Sequence, residues 1–181
     1  MTDKQALRSG MRARRKALAL AAPDAADRLA GFADDLPGAV VHALYLPIGA
    51  EMDPRPLAAR LAYEGYDLCL PVVTAPDTPL IFRWWRPGDE LAPDAAGIPA
   101  PLPTAREMQP ELILTPLLAF DSFGGRLGQG GGYYDRTFAA RPEALRVGVA
   151  YAGQRVERLS LLDHDMPLHG VLTETGYTAF P

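Results

Sequence analysis

Apolar positions recur along this chain with two different periods, and their alternation predicts its elements. Residues 3–20 contain no proline and many good helix formers, so a helix is expected there, with Leu7, Met11 and Leu18 facing a core. Asp24 is placed to cap a second helix over residues 24–36. Val40–Leu46 reads as a strand ended by Pro47. Leu57, Ala58 and Leu61 return to helical spacing within residues 54–64, with a proline at the start. Asp67–Val73 and Leu80–Trp85 read as further strands, and residues 87–110 as a connection too rich in Pro, Ala and Asp for a regular element. Residues 111–116 form a strand that runs into a glycine-rich loop. A helix to about Ala140, a strand at Arg146–Tyr151 and a short last strand near 171–177 complete the chain.

Strands that alternate with helices predict an α/β fold: one domain over residues 1–181, with a mainly parallel sheet flanked by helices in a Rossmann-like three-layer arrangement. Ligands of such sheets bind beyond the carboxyl ends of the strands. The glycine loop stands at such an end.

That loop, Gly124-Gly125-Arg126-Leu127-Gly128-Gln129-Gly130-Gly131-Gly132-Tyr133-Tyr134-Asp135-Arg136, holds six glycines in thirteen residues. Glycine reaches positive φ cheaply and lets a ligand approach the backbone. Successive N–H groups in such a loop converge on anions, and a helix starting after it adds its own unpaired donors. Arg126 and Arg136 bring full positive charge, and Asp135 is a hard oxygen ligand for magnesium. The pattern is neither a Walker A loop nor Gly-x-Gly-x-x-Gly. The two readings are a cradle for a nucleotide polyphosphate with its metal, or a flexible surface loop anchored by Tyr133-Tyr134.

Composition narrows the classes. Hydrophobic residues make up 48% and charged residues 22%, a globular balance. The net charge of −4 gives no basic field to recruit nucleic acid. The lone cysteine, Cys69, excludes an internal disulfide and a cysteine-rich zinc site, and its apolar run marks it as buried and inert. Arg14-Arg15-Lys16 precedes an apolar stretch too short for an export signal, and no segment approaches a membrane span. A cytoplasmic protein is expected.

Other candidates are weaker alone. Lys4, Arg8 and Arg12 share a helix face, either as a solvated basic stripe or reaching over the glycine loop to phosphate. Glu51, past the first strand, is either an ordinary loop acid or an acceptor for the donor edge of a heterocycle. Asp163-His164-Asp165 and His169 concentrate metal-capable groups; Asp165 sharing a magnesium ion with Asp135 is preferred over a transition-metal site, and a hydrogen-bonded turn is the alternative. Trp84 and Trp85 point to opposite faces of a strand, one to the core and one to a flat ligand or the surface.

Taken together, several collinear pieces resemble the 5-formyltetrahydrofolate cyclo-ligase (5,10-methenyltetrahydrofolate synthetase) family. They are Lys4-x-x-x-Arg8, Tyr45-Leu46-Pro47 leading to Glu51, Leu70-Pro71-Val72-Val73, Ala119-Phe120-Asp121 through Arg136, His164-Asp165-x-Pro167, and Thr173-Glu174. The resemblance implies an ATP- and Mg²⁺-dependent enzyme that turns 5-formyltetrahydrofolate into 5,10-methenyltetrahydrofolate with release of ADP and phosphate. It implies ATP contacts from Lys4, Arg8, Arg126, Leu127, Gly128, Gln129, Gly130, Gly131, Gly132, Tyr133 and Tyr134. Folate contacts are implied at Glu51, Gly130, Gly131, Gly132 and Tyr133; Asp135 and Asp165 would hold Mg²⁺. Arg126, Tyr133 and Tyr134 would stand at the reacting centre. The expected partners are small molecules alone, with no nucleic acid or membrane, and the expected state is a monomer. Ala100 stands where the family often has Glu, and Pro54 where it commonly has Thr. These departures leave open an ATP-dependent enzyme for another pterin or amide substrate; a non-catalytic RNA-binding module on the same fold is the other alternative.

Overall fold

The computed structural model of the chain describes residues 3–160 and 165–181. In chain order its elements are α1 (Asp3–Ala21), α2 (Ala25–Ala30), β1 (Val41–Ala43), α3 (Arg55–Tyr63), β2 (Asp67–Val72), β3 (Ile81–Trp84), β4 (Leu91–Pro93), β5 (Pro99–Pro101), β6 (Glu107–Met108), β7 (Leu112–Pro116), β8 (Ala119–Phe120), β9 (Arg126–Leu127), α4 (Tyr133–Ala140), β10 (Leu145–Val149), β11 (Gly170–Thr173) and β12 (Gly176–Ala179). Among the described residues, eight strands form the main sheet in the order β12-β11-β10-β7-β1-β2-β3-β6. The inner run β11-β10-β7-β1-β2 is parallel, and β12, β3 and β6 join it antiparallel.

Side-chain alternation divides the core between the two faces of this sheet. Leu68 and Leu70 of β2, Leu112 and Leu114 of β7, and Val147 and Val149 of β10 pack on one side with Leu29 of α2 and Leu57 and Leu61 of α3. Cys69 and Ile113, the residues between them, pack on the other side with Phe82 and with Phe138 of α4. Helices therefore cover both faces, the arrangement expected when parallel strands are apolar on both sides. Trp85 joins the first cluster and Trp84 the second, on opposite faces as expected. Cys69 is fully buried, and burial pushes its thiol up to about 12.

Several elements differ from their sequence-based boundaries. The second helix stops at Ala30, and a single 3₁₀ turn over Ala33–Asp35 replaces its last part. Asp24 makes no capping bond; its carboxylate lies 3.1 Å from Arg28 instead. Leu7 is exposed, because the inward stripe of α1 runs through Met11, Arg15 and Leu18. The proline-rich connection holds three short strands. Its prolines suit the two-stranded β4–β5 ladder, which needs few N–H donors, and Glu107–Met108 pairs with β3. In place of a single last strand stands the hairpin β11–β12, turned at Glu174-Thr175.

Buried Thr137 accepts the N–H of Leu80 at 2.9 Å and donates to the carbonyl of Tyr133 at 2.6 Å, which fixes α4 against β3. Phe138, completely buried, sits under the guanidinium groups of Arg126 and Arg146 at 5.6 and 5.9 Å. Phe138→Ala is expected to destabilise the protein by about 3–5 kcal/mol in urea unfolding, from lost burial and the cavity left behind. A loss under about 1 kcal/mol would contradict this packing.

Candidate active site

Strand order places the cleft. From β1 the sheet grows one way to β2 and the other way through β7 to β10, so the direction reverses between β1 and β7. A crevice opens at the carboxyl ends of strands at such a point. There, Tyr45 and Leu46 past β1, Leu70 and Pro71 in β2, and Pro116 and Leu117 at the end of β7 line a cleft of about 450 Å³. That volume lies within the roughly 300–1,000 Å³ of small-molecule sites.

The glycine loop forms one wall. Buried Asp121 accepts N–H bonds from Phe123 at 2.9 Å, Gly125 at 2.8 Å and Leu159 at 2.9 Å, and so shapes the β8–β9 hairpin. Gly124 has φ +84°, and a Cβ there would stand 2.7 Å from the carbonyl oxygen of Leu168. This close approach, with the Leu168 N–H donating to Gly124 at 2.9 Å, draws the segment bearing Asp165 to the hairpin. Gly132 takes φ +69° immediately before α4, turning the loop into the helix. The N–H groups of Gly130, Gly131 and Gly132 donate to no acceptor among the described residues. They are the donors an anion at a helix start requires.

Helix α1 closes the loop from above. Arg8 donates to the carbonyl of Gly128 at 3.1 Å, and Arg12 to the side chain of Gln129 at 3.0 Å. Lys4 lies 3.2 Å from Asp165. Arg126, its side chain only 5% exposed, donates to Asp135 at 2.5 Å and lies 6.0 Å from the ring of Tyr134. Arg136 donates to the carbonyl of Gly131 at 2.7 Å and covers Tyr133 at 5.1 Å. Burial pushes the phenol of Tyr134 well above its ordinary range, so Tyr134 is a neutral hydrogen-bonding group.

Glu51 stands in the wall facing the loop, and its side chain is 6% exposed. Its Oε2 accepts the N–H of Ile48 at 3.0 Å, and Arg15 lies 3.7 Å from Oε1. Burial raises its pKa, while the Ile48 N–H and the Arg15 charge pull it back.

The binding and catalytic residues implied by the resemblance, namely Glu51, Lys4, Arg8, Arg126 to Gly132, Tyr133, Tyr134, Asp135 and Asp165, line this one cleft, whereas Arg12 and Arg136 do not. Asp163 and His164 lie outside the described residues. His169 is occupied by Arg146, whose backbone N–H donates to Nδ1 at 3.0 Å. Among the described residues no three metal-capable side chains gather. Asp135 and Asp165 line the cleft together with the glycine loop, and a nucleotide's Mg²⁺ takes one or two carboxylates and fills its shell with phosphate oxygens and water. Neither tryptophan lines the cleft. Ala100 is buried and lines a smaller cavity, whereas its neighbours Ile98 and Pro99 line the main cleft. Pro54 is buried at the start of α3.

Sequence reasoning missed the apolar walls, including Ile48, Val73, Leu80 and Ile98, and also Asp94. Leu70 and Pro71 stand near a strand's carboxyl end, a signal that would have found them. Ile98 carries no such signal. It is placed by Asp94, which accepts N–H bonds from Val73, Ala96 and Ile98 and so folds the proline-rich segment onto β2.

With this geometry in place, comparison with known proteins decides the family. A sequence model of the "5-formyltetrahydrofolate cyclo-ligase family" matches residues 1–174. The chain belongs to the 5-formyltetrahydrofolate cyclo-ligase family. It is 36% identical over 138 residues to the 5-formyltetrahydrofolate cyclo-ligase of Escherichia coli K12, spanning 72% of this chain and 76% of that one. It is 34% identical over 138 residues to the cyclo-ligase of Haemophilus influenzae, spanning 72% and 73%. Among solved structures, the 5,10-methenyltetrahydrofolate synthetase of Aquifex aeolicus matches with TM-score 0.79 and 29% identity over 98% of this chain and 93% of that one. The Mycoplasma pneumoniae synthetase, at 23% identity, shares the fold with TM-score 0.74 over 96% and 99%.

Asp121→Ala would leave three backbone donors without their acceptor, two of them buried, close to the glycine loop. The expected result is a stability loss of about 2–5 kcal/mol in denaturant unfolding together with weaker nucleotide binding by calorimetry. Wild-type stability and nucleotide affinity would show that Asp121 does not shape the loop.

Proposed function

We propose that this chain closes 5-formyltetrahydrofolate into 5,10-methenyltetrahydrofolate, consuming ATP with Mg²⁺ and releasing ADP and phosphate. The observation that carries the reading is the joining, in one cleft, of a cation-rich glycine loop and a buried carboxylate set in an apolar wall. Membership of the cyclo-ligase family supplies the substrate pair.

The formyl oxygen attacks the γ-phosphorus of ATP, and ADP leaves. The oxygen is then a phosphate ester on a carbon made electrophilic by N5. N10 attacks that carbon, loses its proton to solvent, and phosphate departs with the former formyl oxygen as the N5–C–N10 bridge forms. The work asked of the protein is positioning and charge stabilisation rather than covalent attack. Lys4, Arg8 and Arg126 neutralise phosphate charge, and Gly130 to Gly132 supply backbone donors. Glu51 accepts from the donor edge of the pterin. Tyr133 and Tyr134 wall the reacting centre and exclude water, Tyr134 as a neutral phenol. Asp135 and Asp165 would hold Mg²⁺, which supplies charge neutralisation across the phosphates. No described helix is long and apolar enough to cross a membrane, and the lone buried cysteine suits a reducing compartment, so the cytoplasm is the proposed location.

Mixing the protein with 5-formyltetrahydrofolate and Mg²⁺ should produce the methenyl-folate absorbance only when ATP is present. No rise, from folded protein that binds ATP, would exclude this substrate. Asp135→Asn is expected to lower turnover by roughly 10²-fold or more and to raise the Mg²⁺ concentration needed, with the fold kept. An unchanged magnesium dependence would remove Asp135 from the metal.

A further inference from the structure

Beneath the cleft lies a buried cation that the reaction as described leaves without a task. Arg15, on the inward stripe of α1, is 6% exposed. Its Nη1 donates to the carbonyl of Leu117 at 3.2 Å and lies 3.7 Å from Oε1 of Glu51, and its Nε has no hydrogen-bond partner among the described residues. Leu117 and Glu51 both line the cleft, whereas Arg15 stands behind them.

A buried ion pair rarely adds net stability, because desolvating two charges costs about what their attraction returns. Its retention here calls for another reason. We infer that Arg15 is a positioning residue for folate recognition: it is the counter-charge beneath Glu51 that keeps this carboxylate an acceptor for the pterin's donor edge. The inference rests on the proposed folate role of Glu51.

The surroundings leave this task to Arg15. Tyr45, from the segment after β1, and Tyr134, from α4, face Glu51; burial pushes both phenols up, so they carry no charge. Asp53 is held by Arg55 at 2.7 Å. Arg12 and Tyr151 lie beside Arg15, and Arg12 is engaged with Gln129. The Ile48 N–H and Arg15 are the groups that hold Glu51 down against its burial. A neutral residue at position 15 removes one of the two, and the carboxyl then keeps its proton to higher pH. A protonated carboxyl has lost the charge that strengthens its bonds from pterin N–H donors.

The test is calorimetric titration of 5-formyltetrahydrofolate without ATP, from about pH 5 to 9, on wild type, Glu51→Ala, Arg15→Gln and Arg15→Lys. Glutamine can still donate to Leu117 but carries no charge. Glu51→Ala should weaken folate binding roughly tenfold or more at neutral pH. In wild type, affinity should fall as the pH drops through the folded pKa of Glu51. Arg15→Gln should move that inflection up by about one unit or more with ATP affinity unchanged, and Arg15→Lys should restore it. Unchanged folate affinity in Glu51→Ala would remove the folate role of Glu51 and the inference with it. A folate defect in Glu51→Ala with a wild-type inflection in Arg15→Gln would overturn the inference alone, as would equal loss of folate and ATP affinity at every pH. Should Arg15→Gln not fold, infrared difference spectra of wild type against Glu51→Gln, with and without the folate, decide the matter: an ionised Glu51 in the complex is expected, and a protonated one overturns the inference.

Discussion

The site depends on how one face of α1 docks. Met11 is buried against Leu118, Ala119, Leu127 and Leu159, a small apolar cluster at the β8–β9 hairpin. Burying such a side chain supplies about 1.5–3 kcal/mol without direction. Direction comes from the polar contacts on either side: Arg8 to Gly128, Arg12 to Gln129, Lys4 to Asp165, and Arg15 to Leu117. Each contributes only about 0.5–1.5 kcal/mol net, yet together they fix where the glycine loop stands. The first helix thus supplies both a wall of the cleft and part of its charge.

Charge in the cleft is balanced before any ligand enters. Arg126 faces Asp135, Lys4 faces Asp165, and Arg15 faces Glu51. Walls of Leu70, Val73 and Leu80 keep these pairs in surroundings less polar than water, where each interaction is stronger and each unpaired charge more costly. In the proposed complex the cations turn to phosphate and the carboxylates to metal, so the charges exchange partners rather than appear unmatched. The pair beneath Glu51 differs because Arg15 stands outside the cleft and keeps its partner.

Much of this was legible in the sequence, for physical reasons that also mark the limit. Unbroken apolar runs such as Leu112-Ile113-Leu114 are buried on both faces, so they announced central parallel strands. The glycine loop was legible because backbone approach needs glycine, and the collinear motifs tied Lys4, Glu51 and Asp165 to it. The β4–β5 hairpin was hidden because its prolines normally break strands, and its order comes from Asp94 reaching Val73 across 21 positions. Leu7 was misplaced because the inward stripe of α1 runs through Met11, Arg15 and Leu18, with a cationic side chain where an apolar one is expected. Arg15 read as one of three consecutive basic residues, since nothing local distinguishes a buried arginine from a solvated one.

The central claim is that the cleft holds the γ-phosphate of ATP against the formyl oxygen of the folate. Turnover of 5-formyltetrahydrofolate labelled with ¹⁸O in the formyl group tests it most directly, with mass analysis of the inorganic phosphate. The account predicts one labelled oxygen in the phosphate released per turnover. Unlabelled phosphate, with the label recovered in water, would contradict it.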